Sequence, residues 1–224
     1  TVVDDIYILH QRLKQRYPDV PLCIMGHSMG SFLTRTYLIR YPGTVKAAVI
    51  MGTGWQPQAA ITGGLALANA IAAVSGENAT SELVTELAFG SYNKLFAPNR
   101  TKVDWLSADE SNVDDYIADP LCGADATVGL FRQMLHGIRF NQRQSHLRQM
   151  DREMPVLFVA GDKDPVGNCG KGVRQTYDAF RAAGMRDCTL KLYPGLRHEI
   201  LNEKAYTADI TKNIEAWLLS RLEK

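Results

Sequence analysis

Cysteine is scarce: Cys23, Cys122, Cys169 and Cys188 are the only four in 224 residues. That is too few for a disulfide framework, and their spacing matches no zinc site. Reduced thiols, in the core or near the surface, are expected, which suits the cytoplasm. Charge of one sign is lacking too. The formal net charge is +1, so there is no basic surplus to hold nucleic acid or an anionic membrane surface. No signal peptide, internal repeat or low-complexity run is visible. The most apolar stretch, residues 59–74, contains Gly63, Gly64 and Asn69 and is too short to cross about 30 Å of hydrocarbon. A transmembrane segment is therefore not expected.

What remains is ordinary globular composition, 46% hydrophobic and 22% charged, enough for one sizeable domain with an insertion. Helical spacing of apolar residues runs over 2–16 and stops at Tyr17-Pro18-Asp19. Residues 20–25 read as a buried strand, 28–40 as a helix, and 45–51 as a second buried strand. Residues 54–150 lack clear strands and read as a helical cap. The strand pattern resumes at 155–160, a helix follows at 171–183, 189–193 alternates like a strand, and 205–222 is a last helix. Strands alternating with helices predict a mostly parallel sheet covered on both faces. The chain thus divides into core (1–53), cap (54–150) and core (151–224). It opens on a helix rather than a strand, and an N-terminal piece is expected to be missing from it.

Chemistry enters at Gly26-His27-Ser28-Met29-Gly30. A G-x-S-x-G string needs a strand before it and a helix after it, so that the serine sits on a tight, strained turn. Both are expected here. Side chains at Gly26 or Gly30 would crowd so tight a turn. The helix start aims N–H groups at the nucleophile, and that of Met29 is placed to stabilise an oxyanion.

A serine hydroxyl is a weak nucleophile until a base takes its proton, and the base is a histidine held by a carboxylate. Two aspartates follow the strand at 155–160. Asp162 comes directly after Gly161 and suits local backbone N–H groups, as turn aspartates do. Asp164 reaches further into the loop and is favoured as the acid. His198 follows the last strand and the Pro194-Gly195 turn, where the base belongs. His10, His136 and His146 fit less well. His27 adjoins Ser28 and is expected to shape the turn or line the pocket.

GHSMG at 26–30, AGDKDPVG at 160–167 and YPGLRHEILNE at 193–203 together resemble the α/β-hydrolase superfamily. The cap string DWLSADESNVDDYIADPLCG from Asp104 narrows the likeness to its monoglyceride lipase, lysophospholipase and serine-aminopeptidase-like branch. The resemblance implies the α/β-hydrolase fold, a Ser28–Asp164–His198 triad and Met29 as one oxyanion donor. It implies a small acyl-ester substrate and neither metal nor organic cofactor. The family takes its second oxyanion donor from a loop marked His-Gly after an earlier strand, and no such motif precedes Ser28. An N-terminal segment or second chain completing the sheet is the matching expectation. Two rivals stand beside ester hydrolysis. An aminopeptidase needs a cap carboxylate, for which Asp109, Glu110, Asp114 and Asp115 are candidates. A hydrolase-fold binding or receptor protein would keep the triad with weak catalysis. The apolar stretch 59–74 is read first as packing on the core and second as facing an acyl chain.

Overall fold

A computed structural model describes residues 1–222. Its centre is a four-stranded, all-parallel sheet in the order β1 (Cys23–His27), β2 (Ala47–Met51), β3 (Val156–Gly161), β4 (Cys188–Tyr193). Parallel strands need long crossovers. These are α2 (Met29–Arg40), the helical segment between β2 and β3, and α8 (Lys171–Ala182).

The period-2 geometry of strands sorts the core into two faces. Ala48, Ile50, Val156, Phe158 and Ala160 point to one side, against Tyr37 and Leu38 of α2, Phe180 of α8 and Val3 of α1 (Val2–Arg16). Val49, Met51, Leu157 and Val159 point to the other, against Ile210 and Ile214 of α9 (Thr207–Leu222). Every residue of β2 and β3 is buried, which is why they read as unbroken apolar runs. Phe158 and Phe180 meet edge to face at 5.0 Å. Each buried aromatic of this size contributes about 1.5–3 kcal/mol. Of the outer strands, β4 is half-covered along its length, and β1 leaves Cys23 and Met25 exposed.

The first strand starts and ends later than 20–25. Pro21 has no N–H to give a ladder, whereas Gly26 and His27 still pair with Ile50 and Met51 of β2. His27 is thus a strand residue rather than part of the turn.

Between β2 and β3 lie α3 (Gln58–Ser75), α4 (Glu82–Phe89), α5 (Glu110–Ala118), α6 (Val128–Asn141) and α7 (Gln144–Leu147). By length and composition alone α3 could cross a membrane, so the estimate that 59–74 is too short missed its full extent. One face of it is docked. Ile61 and Leu65 form a cluster with Phe32 of α2 and Ile138 of α6. Its far end is open, with Val74 88% exposed.

Candidate active site

The site lies where the strands end. At the end of β1, Ser28 has φ +54° and ψ −121°, a conformation that costs a non-glycine residue of order 1–3 kcal/mol. Its backbone is held on both sides. The Ser28 N–H donates to the Met51 carbonyl at 3.1 Å, and its own carbonyl accepts from the Ser31 N–H at 2.9 Å and hydroxyl at 2.6 Å. Ser28 is the N-cap of α2 but makes no side-chain capping bond, so its hydroxyl is not spent on the helix. Met29, in the first turn, has an N–H for which the helix supplies no acceptor.

The two elbow glycines differ. A Cβ on Gly26 would collide with the Gly30 carbonyl and the Thr34 hydroxyl. A Cβ on Gly30 would meet nothing within 4 Å, so the expectation of crowding there is wrong. The close approach is made by the backbone of position 30 onto position 26, and it needs only one glycine.

Asp164 and His198 are 0% and 2% exposed. The Nδ1 atom of His198 lies 3.0 and 3.1 Å from the two carboxylate oxygens of Asp164, and Oδ1 also accepts from the Val166 N–H at 2.9 Å. The loops bearing them are sewn together. Asp162 N–H donates to the Tyr193 carbonyl and Lys163 N–H to the Leu196 carbonyl, both at 3.0 Å. Any side chain at Gly161 would collide with the Leu196 and Arg197 carbonyls. Asp162 does take a backbone N–H, but that of Gly195, at 2.8 Å and 33 residues away, not one in its own turn.

Three neighbours of His198 were not foreseen as such. The His27 ring lies 4.6 Å from the His198 ring, and its Nε2 is 3.0 Å from the His198 carbonyl. Burial, and then the neighbouring His198, hold the His27 imidazole below its ordinary pKa. Gly52 explains how the rings fit: a Cβ there would sit 3.1 Å from both. Because Gly52 follows Met51, whose carbonyl holds Ser28, the serine and the two rings share one corner of the sheet. From the cap side Trp105 covers His198 at 5.2 Å between rings.

Trp105 is not a loose cap residue. Buried Glu203 accepts from the Ala108 N–H at 2.8 Å and the Asp109 N–H at 3.1 Å. Arg197 donates to the Asp104 and Ser107 carbonyls, and Glu199 N–H to the Leu106 carbonyl at 2.7 Å. The loop carrying His198 therefore grips the segment that lays Trp105 over it. Both partners stood in the strings quoted above, but nothing in a linear string says which residues of the two touch.

On the opposite side, fully buried Arg35 donates to the Gly54 carbonyl at 2.9 Å and the Thr53 hydroxyl at 3.3 Å. Burial draws its guanidinium down to about 9, still charged at neutral pH. It fixes the loop after β2, which touches the Asp164 loop: a Cβ on Gly54 would strike the Val166 carbonyl.

Ser28 opens into a cavity of about 540 Å³ walled by α3, α4, α6 and Trp105, inside the usual range of about 300–1,000 Å³ for small-ligand sites. Its walls are apolar apart from Ser28, Gln56, Tyr92 and the Trp105 ring nitrogen. Burial, with Asp164 adding a little, pushes the Tyr92 hydroxyl up to about 12, so it stays a donor. The four cap acids are elsewhere. Asp109 caps α5, Glu110 and Asp114 face Arg100, and Asp115 faces Lys204.

Residues 1–205 match the family model described as serine aminopeptidase, S33. The chain belongs to that family. It is 30% identical over 225 residues to a monoacylglycerol lipase of Mycolicibacterium smegmatis, covering 98% of this chain and 70% of that one. It is 26% identical to a mouse monoglyceride lipase, of which it spans 62%. A thermostable carboxyl esterase of Bacillus coagulans superposes on 97% of this chain, and on 70% of its own, with a TM-score of 0.90 at 24% identity. A Paleococcus ferrophilus monoacylglycerol lipase does so with a TM-score of 0.72 at 19% identity, over 98% of this chain and 74% of that one. The fold of this S33-family chain is therefore that of the α/β hydrolases.

Proposed function

We propose that the protein is a serine hydrolase of carboxylic esters, acting on monoacylglycerol-like or lysophospholipid-like acyl esters through an acyl-enzyme. The observation that carries the reading is the buried Asp164–His198 pair, 3.0 Å apart, at the same sheet corner as a strained serine whose hydroxyl is not used for capping. His198 takes the proton of the Ser28 hydroxyl as Oγ bonds to the ester carbonyl carbon. The Met29 N–H stabilises the oxyanion. Collapse breaks the carbon–alkoxide bond, and His198 returns the proton to the departing alcohol. Water, deprotonated by His198, then attacks the acyl carbon; the bond from that carbon to Oγ breaks, His198 returns the proton to Ser28, and the fatty acid leaves. Asp164 keeps the imidazole in the tautomer that presents Nε2. In this reading residues 1–53 and 151–224 carry the reacting groups and 54–150 supplies the cavity walls.

The substrate class rests on the apolar cavity and on the relatives named as monoacylglycerol lipases. An aminopeptidase would need a carboxylate for the free amine, and none of the four cap candidates lines the cavity. Purified protein should turn over p-nitrophenyl esters and take up a fluorophosphonate label, and Ser28→Ala should do neither. Retained turnover or labelling in that variant overturns the assignment.

A further inference from the structure

Gly63 sits inside α3, where glycine is the worst helix former after proline. Two structural reasons commonly retain such a glycine: a left-handed backbone, or a neighbour too close for a side chain. Neither holds. Its φ is not positive, and a Cβ there would meet nothing within 4 Å. The adjacent Gly64 is the instructive contrast, because its Cβ would sit 2.9 Å from Leu135 of α6. That contact is with the tip of a side chain, which can turn aside, whereas Gly63 has no neighbour at all.

The cavity supplies the missing reason. Ile61, Leu65 and Ala68 turn the buried face of α3 inward. Gly63 and Leu67 lie on its flank, and both line the cavity that begins at Ser28. Met134 and Leu130 of α6 form another part of its wall. Gly63 is exposed, and a side chain there would project into open space at the edge of that cavity.

We propose that Gly63 determines specificity for acyl-chain length, by leaving the acyl channel open where α3 crosses it. The inference rests on the ester-hydrolase reading above. The occupant is the unbranched hydrocarbon chain of the ester, because an apolar wall rewards buried methylene groups and offers polar ones no partner.

The test compares kcat/KM for p-nitrophenyl butyrate, octanoate and palmitate in the wild type, Gly63→Ala and Gly63→Leu, with Ser28→Ala as the blank. Gly63→Leu should lower the palmitate-to-butyrate ratio of kcat/KM about tenfold or more, chiefly through the KM for palmitate, since filling a pocket acts on binding. Gly63→Ala should raise Tm by about 2 °C through helix propensity alone while shifting the palmitate-to-butyrate ratio about threefold in the same direction. A merely structural glycine would change Tm and leave the ratio alone. If Gly63→Leu does not fold, Gly63→Ala carries the comparison. An unchanged ratio in a variant that still cleaves butyrate overturns the role of Gly63 and leaves the hydrolase reading intact. A wild type that cleaves no ester overturns both.

Discussion

Removing the Glu203 carboxylate should loosen the cap and the active site together. Glu203 is 3% exposed and accepts the Ala108 and Asp109 N–H groups at 2.8 and 3.1 Å. Hydrogen bonds to a charged group contribute about 1.5–3 kcal/mol each. The two do not count equally, because the Asp109 N–H also reaches the Ser107 hydroxyl at 3.0 Å and is not orphaned by the loss. Burying a carboxylate also carries a desolvation cost that its removal relieves. The net for Glu203→Ala is therefore about 2–3 kcal/mol of lost stability, or about 4–12 °C in Tm for a domain of this size. Differential scanning calorimetry reads it. The same change frees the segment that holds Trp105 against His198, so kcat/KM on a butyrate ester should fall about tenfold, chiefly through kcat. Glu203→Gln keeps one acceptor but turns an N–H donor toward the other amide, and should recover no more than half of either loss. A Tm within about 1 °C of the wild type, with unchanged kinetics, would refute the idea that this carboxylate ties the cap down.

Asp164→Asn should retain the fold and lower kcat by about 10⁴, the cost of the wrong imidazole tautomer. Asp162→Asn should stay within about tenfold of the wild type, since its bond to Gly195 N–H touches no reacting group; steady-state assays of the pair decide which aspartate is the acid. Gly26→Ala should abolish activity and cost about 3 kcal/mol or more through its collision with the Gly30 carbonyl, whereas Gly30→Ala should be stabilising by about 0.5–1 kcal/mol. Denaturant unfolding separates these, and equal penalties at the two positions would contradict the elbow geometry.

Much of this architecture was legible in the sequence because its signals are local. Val49 to Met51 and Val156 to Val159 are apolar without interruption since both strands are buried on both faces, and the glycine-bounded serine announces its own turn. The proposed acid could be picked out too, as Asp164 lies far enough past Gly161 to leave the strand. Three things were not. Register cannot be read from one strand, so the extension of β1 through Gly26 and His27 appears only when β2 is laid beside it. A glycine's reason cannot be read from its letter: Gly26 is required by a backbone carbonyl, while a Cβ on Gly30 would meet nothing. Contacts between a loop and a cap 90 or more residues apart, such as Arg197 with Ser107 and Glu203 with Ala108, leave no periodic trace at all.

Those long-range contacts change how the cap should be understood. A lid that simply opens would be tied to the core at its two ends. Here the middle of the cap, 104–109, is bonded to the loop that presents His198, while α3 and α4 carry the exposed apolar residues Val74, Leu83 and Leu87. Stability within one fold is uneven, and segments with few buried contacts open first. Motion should accordingly concentrate in residues 70–97 and spare 104–109. Amide hydrogen exchange distinguishes the two arrangements: fast exchange in 82–89 with slow exchange at Ala108 and Glu199 is expected of a cap anchored at its centre. Equal, rapid exchange across 58–118 would mean that Trp105 leaves His198 whenever the cavity opens, and the roof over the proposed base would then be a moving part rather than a fixed one.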